Sequence, residues 1–197
     1  MKTKITTLIL LGFIGFCPLV WSAADPISGA KKAAPCIECH GQGGYSKIPM
    51  VPNLAGQLPQ YIVRAIVEFK TGIRRNVRMS EKAKNIAMED QEDIAAYFAS
   101  LPVVKGQPSG STLSSEGEKI FIRERCSYCH NDDGKQYTPF VPVVPLIGGQ
   151  KKDYLIKAIR DIRDANRPAD SYGLMREKIM MLSDHQIEAL AEYISEL

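Results

Sequence analysis

Cys36-Ile37-Glu38-Cys39-His40 and Cys126-Ser127-Tyr128-Cys129-His130 are the stretches on which the fold turns. Both have the form C-x-x-C-H. That spacing is the attachment signature of c-type haem. Two thiols three positions apart add to the two vinyl groups of one porphyrin, and the adjacent histidine becomes an axial ligand of the iron. The word occurs twice, so the chain is expected to carry two covalently bound haem c groups. Cys36, Cys39, Cys126 and Cys129 are then the attachment points, and His40 and His130 the iron ligands. A zinc site would want its two cysteine pairs much closer than the 90 residues that separate these.

The rest of the cysteine usage agrees. Residues 1–24 have the form of a secretory signal peptide. Lys2 and Lys4 precede an apolar run from Leu8 to Val20, and Ser22-Ala23-Ala24 offers small residues for cleavage before Asp25. The run is about 13 residues long, short of the ~20 that span a bilayer. An uncleaved N-terminal anchor is the alternative. Cys17 falls within the leader, which leaves four cysteines, all inside the two haem words. No thiol remains for the disulfides that exported proteins commonly use. Removing Lys2 and Lys4 with the leader lowers the formal charge from +3 to +1. That balance makes no case for nucleic-acid binding.

The second half repeats the first. Pro52-Asn53-Leu54-Ala55-Gly56-Gln57 is matched by Pro145-Leu146-Ile147-Gly148-Gly149-Gln150. Tyr61 and Tyr154 each follow their glutamine by four positions. Ile94-Ala95-Ala96-Tyr97-Phe98-Ala99 is matched by Leu190-Ala191-Glu192-Tyr193-Ile194-Ser195. The expected organisation is a signal peptide at 1–24, one domain at 25–101, a linker at 102–114 rich in Pro, Gly and Ser, and a second domain at 115–197. Both domains are expected to be all-α. Leu58, Tyr61, Ile62, Ala65, Ile66 and Phe69 fall on one helical face, as do Tyr154, Leu155, Ala158, Ile159 and Ile162. Ser115 and Glu118 form an S-x-x-E capping-box pattern, and Ser183-Asp184 precede the terminal helix. Units this small bury little core of their own, so each is expected to depend on its haem.

The order C-x-x-C-H, Pro-x-Leu-Ala-Gly-Gln, Tyr, Gly-x-Arg, Met and a terminal Ala-Ala-Tyr-Phe resembles the dihaem cytochrome c4 family. The residues that carry it are Cys36–His40, Pro52–Gln57, Gly72-Ile73-Arg74, Met79 and Ala95–Phe98. In the second half they are Cys126–His130, Pro145–Gln150, Arg167, Met175 and Leu182-Ser183-Asp184. The resemblance implies two class I cytochrome c domains with His/Met-ligated haems, passing electrons in the periplasm. It implies that Pro52 and Pro145 accept a hydrogen bond from the ligand histidines. The second half departs from the pattern at Ile147-Gly148, and its loop from Gly134 to Val144 is rich in Pro and Val. The segment from Ile162 to Met175 is also similar to the dihaem subunit of flavocytochrome c sulfide dehydrogenase.

The only further histidine, His185, lies among Asp184 and Gln186 and is expected on the surface. Methionine is therefore the candidate sixth ligand. Met50, Met79 and Met88 compete in the first half, and Met175, Met180 and Met181 in the second. Met79 lies seven positions before Ile86 and Met175 seven before Leu182, so the repeat pairs them, in the loop where the family puts its ligand. Tyr61 and Tyr154 are candidates to reach a haem propionate or the other domain. Arg74, Arg75 and Arg78 form a basic cluster suited to propionates, to an acidic partner or simply to solvent. With both irons closed by strong ligands, the expected function is single-electron transfer, not catalysis. The expected partners are a membrane oxidase, a quinol-cytochrome c reductase or a flavoprotein dehydrogenase, with peripheral membrane association. The alternatives are the electron-accepting subunit of such a dehydrogenase and, further off, a dihaem enzyme with one open iron.

Overall fold

The structure is a computed structural model that describes residues 23–134, 143–170 and 172–197. The apolar leader with Cys17, and residues 135–142 of the Pro- and Val-rich loop, lie outside the described residues. Those described form ten helices and no strand. The first half contributes α1 (Pro26–Lys32), α2 (Ala34–His40), α3 (Pro59–Thr71), α4 (Val77–Lys84) and α5 (Met88–Ser100). The second repeats the series as α6 (Thr112–Arg123), α7 (Ser127–His130), α8 (Lys152–Arg163), α9 (Leu174–Ile179) and α10 (Asp184–Glu196).

The apolar faces expected from spacing are those that pack. α3 buries Ile62, Ile66 and Phe69, and α8 buries Leu155, Ala158, Ile159 and Ile162. Each buried Ile, Leu or Phe among them contributes about 1.5–3 kcal/mol. Two separate cores result. One gathers these α3 residues with Ala33, Ala83, Ile94, Ala95 and Phe98. The other gathers Leu155, Ile159 and Ile162 of α8 with Ile120, Phe121, Ile179, Leu182, Ile187, Leu190 and Ile194.

In each half the first helix crosses the last at a glycine. A Cβ on Gly29 would lie 1.9 Å from the Asp93 carbonyl oxygen of α5, and one on Gly117 would lie 2.0 Å from the Ala189 carbonyl oxygen of α10. The absent side chain lets the two backbones touch.

The capping box expected at Ser115 and Glu118 is not formed. Ser111 caps α6, accepting from Ser114 N, and Ser115 lies inside the helix with its hydroxyl bonded back to Ser111 O. The Ser114 hydroxyl is held 2.6 Å from the Glu196 carboxylate at the end of α10, and Gly117 must meet Ala189. These contacts start the helix before Ser115. At the other end of the half, Ser183 caps α10 with a complete capping box to Gln186.

α1 is tied to α5 by charge as well. Lys32 Nζ lies 2.6 Å from Asp90 and 2.7 Å from Asp93, and the Asp25 amide donates to Asp93 at 2.8 Å. Lys32 first, then that amide, hold the Asp93 carboxyl down to about 2 from 3.8. A carboxyl depressed in the folded state stabilises it above the unfolded value and loses that contribution as pH falls through the folded one. Unfolding of the holoprotein by denaturant should therefore show stability falling between pH 3.8 and about 2. The fall should be shallower in Asp93→Asn; an equal slope would mean the contact does not form in solution.

Candidate haem-binding sites

Both C-x-x-C-H words lie on the short second helix of their half. Cys36, Cys39 and His40 are on α2; Cys129 and His130 are on α7, with Cys126 at its N-cap. All four thiols are free and half-buried. Burial pushes the Cys36 thiol up to about 11 and Cys126 to about 12. The two histidines are buried.

The Pro-x-x-x-Gly-Gln loop folds back over each histidine. Leu54 and Ala55 amides donate to Gly44 O, and Ile147 and Gly148 amides donate to Gly134 O. This places Pro52 O 2.9 Å from His40 Nδ1, and Pro145 O 3.0 Å from His130 Nδ1. A carbonyl can only accept, so Nδ1 carries the proton in both rings and Nε2 keeps its lone pair free for a metal. Burial, only partly opposed by the bond to the proline carbonyl, lowers His40 and brings His130 down to about 4. Both imidazoles are neutral donors near pH 7.

Met79 and Met175 are the methionines that pack against the two cores. Met50 (49 %), Met88 (79 %), Met180 (46 %) and Met181 (85 %) are exposed. The sequence placed Met79 and Met175 in loops, whereas they sit on α4 and α9. Side-chain caps account for the difference. Asn76 Oδ1 accepts from Met79 N at 3.0 Å, and Asp170 accepts from Met175 N at 2.9 Å and from Tyr172 and Leu174 N as well. Each cap starts a turn of helix and fixes the methionine backbone. His185 is exposed as expected, 3.4 Å from Glu116.

The basic cluster divides. Arg75 and Arg78 are exposed, while Arg74 turns inward to donate to Tyr154 Oη of the other half at 2.8 Å. Arg167, 8 % exposed, returns the exchange by donating to Tyr61 Oη at 2.9 Å. Burial alone would raise the Tyr61 hydroxyl, but Arg167, Arg74 and Arg64 outweigh it and hold the group below its ordinary value. Among the described residues no carboxylate is ion-paired with Arg74 or Arg167. Among the described residues Arg167 Nε is buried without a hydrogen-bond partner. Buried cations left unpaired are costly, so this spot between the halves suits anionic groups. The carboxylates of a haem fit it, as the half-buried thiol pairs and the neutral imidazoles fit the rest of that group.

Two glutamines, marked in the sequence only by the repeat, join the halves. Gln57 Nε2 donates to Leu146 O at 2.9 Å and its Oε1 accepts from Leu146 N at 2.9 Å. Gln150 does the same to Asn53, at 3.0 and 2.8 Å. Lys151 Nζ adds bonds to Ser46 O and Ile48 O.

This fold and these paired sites define a c-type cytochrome of two tandem domains, an electron-transfer protein that holds haem c covalently. The Cytochrome c family model matches residues 114–197. Cytochrome c4 of Pseudomonas aeruginosa is 33% identical over 204 residues, covering 100% of this chain and 98% of the relative. The crystal structure of reduced recombinant cytochrome c4 from Pseudomonas stutzeri superposes with a TM-score of 0.80 at 33% identity, covering 89% of this chain and 100% of that one. The thiosulfate dehydrogenase electron acceptor of Thiomonas intermedia is 30% identical over 90% of this chain and 83% of its own length. The chain belongs to the cytochrome c4 family.

Proposed function

We propose that the chain carries two haems and passes single electrons in the periplasm between respiratory or dehydrogenase partners. Cys36, Cys39, His40 and Met79 would hold the first haem, and Cys126, Cys129, His130 and Met175 the second. The bound group supplies a one-electron Fe(III)/Fe(II) couple. The protein's own part is to bury that group, fix the histidine tautomer through Pro52 and Pro145, and offer a methionine sulfur that raises the potential. The observation that carries this reading is the matched pair of His–Pro bonds, each leaving Nε2 free on the same short helix as the attachment thiols. Cleavage before Asp25 would turn its amide, 2.8 Å from Asp93, into an ammonium paired with that carboxylate. Among the described residues no helix is long and apolar enough to cross a membrane.

A second reading has its own support. The likeness to thiosulfate dehydrogenase electron acceptors supports a dedicated acceptor for a sulfur-compound dehydrogenase as the alternative to a general respiratory carrier. Reduction of the holoprotein by such an enzyme, faster than by a quinol-cytochrome c reductase, would select it. Both readings need closed irons. Carbon monoxide added to the reduced holoprotein should leave the visible spectrum unchanged. A change in half of the haem would mean one open iron and would turn the assignment toward an enzyme.

A further inference from the structure

We infer that Gln57 and Gln150 are positioning residues that tune, each across the domain boundary, the ligand histidine of the opposite half. The inference rests on His40 and His130 being iron ligands.

The observation is which peptide each glutamine grips. The carbonyl that accepts from His40 Nδ1 is Pro52 O, and the N–H of that same peptide unit is Asn53 N. Asn53 N donates to Gln150 Oε1 of the second half at 2.8 Å. Likewise the peptide joining Pro145 and Leu146 accepts from His130 through its oxygen and donates to Gln57 Oε1 through its nitrogen. Two unbroken chains run histidine, peptide, glutamine, and each ends in the other domain.

The glutamines are built for this. Both are buried. Gln57 Oε1 accepts from Leu58 N and Leu146 N, while its Nε2 donates to Leu146 O. Gln150 Oε1 accepts from Lys151 N and Asn53 N, while its Nε2 donates to Asn53 O. A flipped amide would set donors against donors, so the orientation is fixed by the network. Mere adhesion between domains would be served by any surface groups. Here, in both halves, the glutamine Oε1 falls on the N–H of the one peptide that supports the ligand.

An amide whose N–H is hydrogen-bonded becomes a stronger acceptor at its oxygen, because linked bonds polarise one another. A stronger acceptor at Pro52 O draws the Nδ1 proton and makes His40 a more basic ligand. More electron density at the iron favours Fe(III). Gln150 therefore lowers the potential of the first haem, and Gln57 that of the second.

The test uses the full-length holoprotein with labelled histidine, of which the chain has three. In the reduced, diamagnetic state the Nδ1–H signals of His40 and His130 are followed by NMR, and the two potentials by spectroelectrochemistry. Large shifts of both rings on oxidation of the wild type establish iron ligation independently; their absence would sink the ligand assignment itself. Gln150→Leu should speed exchange of the His40 Nδ1–H and raise the reduced-to-oxidised ratio of the first haem about threefold at fixed potential. The His130 signal should stay nearly still. Gln57→Leu should give the mirror pattern. Gln150→Glu, which keeps an acceptor for Asn53 N and the packing, should move the first haem the opposite way and more than the second. Movement confined to the mutated half, equal movement of both, or none would overturn the inference.

Discussion

Gly117→Ala should unfold the second half of the holoprotein at denaturant concentrations that leave the wild type intact. Two effects oppose each other at this site. Alanine is the better helix former by about 1 kcal/mol, and α6 would gain that. The added Cβ, however, would lie 2.0 Å from the Ala189 carbonyl oxygen, 2.7 Å from its carbon and 2.8 Å from Tyr193 Cβ. Two of these three are backbone atoms of α10, so no flexible side chain can swing aside. Overpacking of this kind costs about 3 kcal/mol or more when backbone must move, so the clash wins. Spreading α6 from α10 would also disturb Ile120 and Phe121 against Leu190 and Ile194, the centre of the second core. Guanidinium unfolding followed by circular dichroism, with haem content per chain, measures the outcome. Gly29→Ala should do the same to the first half, where the clash with Asp93 O is 1.9 Å. Ser115→Ala, on the same helix, removes only a hydroxyl bonded to Ser111 O and should stay within about 0.5 kcal/mol. Wild-type stability in Gly117→Ala would mean the helices do not cross this closely.

That crossing was not legible in the sequence, and the reason is physical. α1 is Pro-Ile-Ser-Gly-Ala-Lys-Lys, seven residues without an apolar face, so periodicity had nothing to detect. Its packing depends on what a glycine lacks. The haem words, the paired prolines and the long faces of α3 and α8 were legible because their signals are local: fixed spacings and a 3.6-residue period. α6 is capped by Ser111 and not by the Ser115 of the S-x-x-E pattern because tertiary contacts decide its start, with Glu196 taking Ser109 and Ser114. The exchanges between halves were hidden for the same reason. Gln57 and Leu146 lie 89 positions apart, and Arg167 and Tyr61 lie 106 apart. The repeat marked Gln57 and Gln150 as equivalent, but equivalence within the chain carries no hint that each acts on the other's half.

Met79→Ala and Met175→Ala should each make half of the haem reactive toward carbon monoxide, and the double variant all of it. Thioether sulfur favours Fe(II), so each loss should also lower the potential of its own haem, by on the order of 0.1 V or more. The local structure makes these two sulfurs the ones available. Asn76 and Asp170 pin the Met79 and Met175 backbones through their amides, and both side chains turn toward the cores. Met50, Met88, Met180 and Met181 point outward enough that alanine there should leave both spectra and both potentials in place. The decisive comparison is in α9. If the ligand of the second haem were Met180, Met180→Ala would open that iron. Met175→Ala would then behave only as the truncation of a half-buried core residue, lowering stability with no carbon monoxide binding. Because Met180 is at the C-cap of α9, five positions past Met175 and 46 % exposed, that outcome would require α9 to present a different face to the haem. Haem binding would then reshape α9, and the pairing of Met79 with Met175 along the repeat would have no functional content.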